Sequence, residues 1–375
     1  MCIRDSVEID NGTTALNLGT VGVGQHFQAT SGGVISDSGV ITVAGNATFV
    51  TDVNDIDINL NSSNAITGAL TFTTQTGGSN GADITLNNGS TAISLATFTT
   101  EGNLTLTTSN TAAFDVKAHT VNGDLAISTG GDITQTGNLT VTGTSSFTSS
   151  GTDNDITLGE TNVLTGAVSA TTAGTTGNVT IDNGATAINL GTVTARGNLS
   201  VRGGNGITDS GVVTVSGTSL FHSDVTAKAI TLDSTNAMTG AVSITHTGSA
   251  DVAIDNGTTA LNLGTVGVGQ NFEARTGGGI TDTGVITIAG NATFVTDVND
   301  IDIVLDNAAN AITGAINITT QTNAATNGAD VTIDNGTTAI NLGTVTARGD
   351  LSVRGGNGIT DSGVITVSGL SLIHI

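Results

Sequence analysis

The chain lacks tryptophan, tyrosine and proline altogether, has one cysteine in 375 residues, and sets eight Lys and Arg against 31 Asp and Glu. So little aromatic volume argues against the large cores of ordinary globular domains. The net charge of −23 repels phosphate backbones and anionic membrane surfaces, which excludes nucleic acid as a natural partner. No stretch approaches the roughly 18 consecutive apolar residues of a membrane span. The lone cysteine excludes disulfide staples, so a secreted form needs another source of stability. A continuous hydrogen-bonded ladder would supply it.

What the chain has is repetition. Residues 192–217 and 344–369 are the same 26 residues except at Asn198/Asp350 and Val213/Ile365. Near-verbatim copies mark an architecture built by stacking one unit. A landmark, Asp10-Asn-Gly-Thr-Thr-Ala-Leu-Asn-Leu-Gly19, returns at Asn87, Asp182, Asp255 and Asp334, at spacings of 77, 95, 73 and 79 residues. Each unit divides at three glycine endings: Ile/Leu/Met-Thr-Gly, Asn-Leu-Gly and Asp-Ser/Thr-Gly. The 95-residue spacing holds an extra segment, roughly 97–118.

Within segments the apolar period is two. Val179 and Ile181 share a face with Thr180 opposite, and Ile301, Ile303 and Leu305 share one with Asp302 pointing away. That is a strand with one buried and one wet side. Val, Ile and Thr favour strands, and Asn-Gly, Gly-Gly and Ser-Gly supply the bends. No stretch shows sustained helical spacing. The pattern predicts an all-β, parallel β-solenoid with coils of roughly 20–30 residues, three to four per unit. A string of immunoglobulin-like sandwiches fits the period but not the missing Trp and Tyr. Fourteen glycine-ended segments between Thr20 and Gly363 would stack to about 65–70 Å at the inter-strand spacing.

The two ends read differently. MCIRDS and LSLIHI resemble translations of a sequencing adapter and its reverse complement. Residues 1–6 and 370–375 are therefore set aside as scars, leaving 7–369 as one continuous repeat region. Cys2, Arg4 and His374 fall in these ends.

Runs such as Gly137-Asn-Leu-Thr-Val-Thr-Gly, Asn154-Asp-Ile-Thr-Leu-Gly and Gly130-Gly-Asp-Ile-Thr-Gln-Thr-Gly resemble the repeat region of filamentous-haemagglutinin-type exoproteins. The resemblance implies a right-handed β-helix, export by two-partner secretion or an autotransporter route, an extracellular or outer-surface location, and adhesion to a host or neighbouring-cell glycan or protein. The chain is then an adhesin fragment or its projecting shaft. The alternatives are a passive stalk or matrix component and, further off, a polysaccharide lyase.

Calcium is the one candidate ion. Asp52-Val-Asn-Asp-Ile-Asp-Ile-Asn59 and its copy from Asp297 place Asp55 with Asp57, and Asp300 with Asp302, on one side of a strand. Carboxylates are the ligands calcium prefers, although the EF-hand glycine and glutamate are missing. The other reading is a solvated strand face. Gly203-Gly-Asn-Gly-Ile-Thr-Asp209 approximates a calcium nonapeptide with its Asp one residue late. No catalytic residue is assigned. Arg196, Arg202, Arg348 and Arg354 come as copies, unlike a unique active site, and His222-Ser-Asp224 has the residue types of a triad without its geometry. No other cofactor is expected.

Overall fold

The computed structural model describes residues 6–75, 81–224, 228–246, 248–321 and 328–374. Cys2 and Arg4 lie outside them. The described residues contain strands and no helix, as the period-two pattern predicts. The chain divides into two compact units, 1–184 and 185–375, each a parallel β-solenoid.

In the first unit a coil has three sides. Val7–Asp10, Leu16–Leu18 and Val21–Val23 form the first. Phe27–Ser31, Ile35–Asp37 and Ile41–Val43 lie on them in parallel register, with Val7 opposite Phe27, Leu16 opposite Ile35 and Val21 opposite Ile41. Coil length varies with the corners: 19 residues separate Leu16 from Ile35 and 20 separate Val7 from Phe27.

The second unit shows how the triangle is renewed. Leu199–Arg202, Ser219–Ser223 and Ala241–His246 stack as one side. The next strand on that side, Leu261–Val268, is longer, at eight residues, with a register shift over Val242/Ile244. Its halves then diverge: Leu261–Leu263 carries Ile280–Asp282, and Val266–Val268 carries Ile286–Ile288. One side has become two. Meanwhile a short side, Val213–Val215 with Ala237–Met238, comes to an end. The remaining side runs from Val252–Asp255 through Phe272–Thr276, Ala292–Asn299 and Ala315–Gln321. It is this side that carries the next split, over Ile340–Ala347. The split therefore moves to the neighbouring side with each repeat.

The landmark Asp-Asn-Gly ends the short side. Asp255 Oδ1 accepts the Gly257 N–H at 2.8 Å, and Gly257 takes φ +55°, a left-handed bend that suits glycine. The turn drives Asn256 inward onto Met238. Asn256 Oδ1 accepts the Met238 N–H at 2.8 Å, and its Nδ2 donates to the Met238 carbonyl at 3.0 Å and to Ala260 O at 3.0 Å. A fully buried side-chain amide thus stands in for a missing strand. Asn88 on Ile66, Asn183 on Leu164 and Asn335 on Ile312 repeat the arrangement.

The glycine-ended segments are not coils, which is why fourteen of them correspond to about 18 turns. A 29-residue segment such as 212–240 holds one coil plus the strand that opens the next. The long spacing in the first unit is explained by one additional three-sided coil, Thr99–Thr100, Leu104–Thr107 and Phe114–Val116. Ser371–His374, set aside above with the chain's end, forms a further parallel strand on Leu351–Arg354.

Corner glycines also sit directly over one another. A Cβ at Gly314 would lie 2.2 Å from Gly290 O and 2.4 Å from its carbonyl carbon, a backbone clash. Gly314→Ala is expected to lower the second unit's stability by about 1–3 kcal/mol, read as a fall in urea midpoint. An unchanged midpoint would mean the corner opens freely.

Candidate functional site

The aspartates expected on a strand side occupy corners instead. Asp55 and Asp300 lie between strands with φ of 57° and 61°, outside Ile58–Leu60 and Ile303–Leu305. Thr51 and Thr296 hold these bends by donating to Ile56 O and Ile301 O. Asp57 and Asp302 face the coil above: Asp57 Oδ1 accepts the Asp83 N–H at 3.0 Å, and Asp302 Oδ1 the Asp330 N–H at 2.8 Å. The contact continues as a ladder. Asp83 accepts from Asn103 N, Asn103 from Asp124 N and Asp124 from Thr144 N. In the second unit Asp330 accepts from Asp350 N, and Asp350 from Leu370 N. Among the described residues no three His, Cys, Asp or Glu gather as a metal site. The structure thus gives Asp57 and Asp302 a role in joining coils. A calcium-dependent rise in melting temperature is the measurement that would assign these corners an ion.

The Asp of the Asp-Ser/Thr-Gly endings is tied to the coil above as well. Asp209 and Asp282 accept from the side-chain amides of Asn236 and Asn310 and from backbone N–H groups at 233–234 and 306–307. Burial pushes the Asp282 carboxyl up, against the pull of these hydrogen bonds. Asp209, the Asp that stands one residue late in the nonapeptide-like run, has this place.

Three arginines and one histidine form ion pairs. Arg202 and His222 both meet the Asp224 carboxylate, Arg275 lies 2.7 Å from Asp297, and Arg354 lies 2.8 Å from Asp334. Burial acts to raise the Asp224 carboxyl, but hydrogen bonds from His222 and Arg202 outweigh it and hold it below its ordinary value. His222 and Asp224 touch, as residues two apart on one side of an extended chain can, while Ser223 between them points inward. The buried Ser219 and Ser223 hydroxyls bond to neither residue.

Sequence reasoning missed one cluster. Inside the first unit Phe27, Phe49, Phe72, Phe98 and His119 form a column with ring centroids 4.8 to 5.8 Å apart. His119 is 4% exposed and neither ring nitrogen has a hydrogen-bond partner. Burial, aided by Lys117, lowers its pKa below 6.5, while the Ala118 backbone and Asp115 oppose the shift. The signal was present: His119-Thr-Val-Asn-Gly occupies the place of Val193-Thr-Ala-Arg-Gly in a copy. A cleft of about 330 Å³ opens beside it, lined by Thr97, Phe98, Thr99, Thr120 and Asn138.

This histidine is expected to make the first unit acid-sensitive. Its folded pKa is depressed, so below pH 6.5 the unfolded chain binds a proton that the folded chain resists. Its effect on stability is absent well above that pH and grows as pH falls through it. Urea midpoints measured from about pH 8 to pH 5 should decline, and His119→Val should flatten the slope. An equal slope in both proteins would exclude this origin.

Side-splitting coils, amide plugs and corner ladders define a repeat protein of the parallel β-solenoid class. Five stretches, 4–73, 101–171, 176–245, 249–319 and 328–374, match the family described as Repeats of unknown function (DUF5649). The chain belongs to that family. No curated protein and no solved structure matches it.

Proposed function

We propose that the chain is part of a secreted or cell-surface adhesin, offering a repetitive lateral surface to a glycan or protein of a host or neighbouring cell. The observation that carries this reading is the regular outward column on each side of a coil stack. In the second unit Asn262, Thr281, Val304, Thr332 and Ser352 follow one another in register. In the first unit Thr99, Thr120 and Thr140 lead the column. Such columns present mostly small polar side chains at the inter-strand spacing of about 4.8 Å, suited to many weak contacts with an extended partner.

The ladder hydrogen bonds favour a second reading, a stalk that holds a binding domain elsewhere, because they spread stability over every coil. The two readings separate on the purified chain. An adhesin binds cells or glycan surfaces saturably and competes with its own excess; a stalk binds neither. Absence of binding to every surface tried would overturn the adhesive reading. The resemblance to filamentous-haemagglutinin-type proteins supports export by two-partner secretion or an autotransporter route, which a secretion assay of the intact gene with its neighbours would test.

A further inference from the structure

We propose that the cleft around Phe98 and His119 binds an uncharged sugar residue. The proposal deepens the adhesive reading and rests on it. Three independent features meet there. Eight of the nine phenylalanines are buried, whereas Phe98 is half-exposed and lines the cleft. An aromatic ring at the mouth of a polar cleft offers the apolar patch that the C–H groups of a pyranose need.

His119 lies behind it, ring centroid 4.8 Å from Phe98, buried and without a partner on either nitrogen. A buried unpaired donor and acceptor are costly and call for an explanation. A sugar hydroxyl both donates and accepts, so one such group satisfies either tautomer. The rim is hydroxyl and amide: Thr97, Thr99, Thr120 and Asn138.

Charge selects the class of ligand. No carboxylate, lysine or arginine lines the cleft, on a chain of net charge −23. An anionic sugar meets repulsion without a counter-charge, and a cation finds better partners at the corner aspartates. At about 330 Å³ the space is at the small end of ligand sites, the size for one sugar ring. Among the described residues Ser94–Leu95 pairs with Ala69–Leu70, and Thr99–Thr100, at the cleft, pairs with Thr120–Val121.

The test is an NMR titration of the full chain, with labelled histidine, against methyl glycosides of glucose, galactose, mannose and N-acetylglucosamine. At least one glycoside is expected to shift the His119 ring signals saturably. Phe98→Leu and His119→Val should each weaken that binding about tenfold or more, read in every variant from the backbone amide shifts of residues 97–99 and 120. His119→Val places there the residue its copy has, so its melting temperature should not fall. Thr120→Lys, on the outer rim, provides a variant that leaves the core intact and should also weaken binding. No saturable shift with any glycoside overturns the proposal, as does binding equal in all three variants. Cell attachment that persists in His119→Val and in excess glycoside overturns the sugar site while leaving adhesion standing; loss of attachment to all surfaces with no glycoside binding overturns both.

Discussion

Asn256→Leu is expected to destabilise the second unit by about 3–5 kcal/mol, the largest effect of any single polar substitution proposed for this chain. The side chain is 0% exposed and bonds to both backbone groups of Met238 and to two carbonyls of its own turn, Thr259 O and Ala260 O. Leucine keeps the volume and removes the amide. The Met238 N–H and C=O then remain buried, with no strand above to take them. An unmet buried backbone group costs about 1–3 kcal/mol, and several are created at once. Asn256→Asp distinguishes hydrogen bonding from packing. The carboxylate can accept from Met238 N but cannot donate to Met238 O. It should therefore be unstable at neutral pH and regain stability on acidification, when its proton restores a donor. Urea midpoints read the loss, and hydrogen exchange at Met238 locates it. Full protection of that amide in Asn256→Leu would show that the plug is dispensable.

This asparagine also marks where sequence reading stops. The Asp-Asn-Gly landmark is legible as a repeat marker and a bend, because Gly257 and its counterparts must pass through a left-handed conformation. That the middle residue replaces a strand is not legible, since its partner lies 18 residues back on another coil. Period two states which side chains point inward; it carries no information about which strand lies beneath them. The solenoid, the strand alternation and the extra segment of the long spacing were accessible for the first reason. The migrating split, the number of turns and the corner position of Asp55 and Asp300 were not, for the second. Ile301 and Asp302 continue the alternation of Ile303 and Leu305 in sequence, yet the strand begins only at Ile303 because Asp300 takes a positive φ. The Phe98 and His119 cleft needed the fold as well. Neither residue departs from a strand pattern; only the column that stacks one on the other brings the unpaired imidazole to an opening.

The core supplies the other large effect. Phe49→Ala should cost the first unit about 3–5 kcal/mol. Successive coils alternate large and small side chains at neighbouring inward positions. Phe27 and Ala29 occupy one coil, Ala47 and Phe49 the next, in register so that each Phe faces an Ala. Phe272 with Ala274, followed by Ala292 with Phe294, repeats the device in the second unit. Each of these coils therefore contributes one ring to a core shared with buried Ile, Leu and Val from its other sides. Removing that ring leaves a void beside Ala29 and Ala47, whose side chains are too short to close it. Phe49 is fully buried between Phe27 at 5.8 Å and Phe72 at 5.7 Å, so ring contacts are lost on both sides. Because coils touch only their neighbours, the damage should stay local. Hydrogen exchange should accelerate over residues 27–75 and leave the second unit unchanged, and Phe294→Ala should give the converse. A loss spread evenly over both units would mean that the coils unfold as one, and that stability is not carried coil by coil.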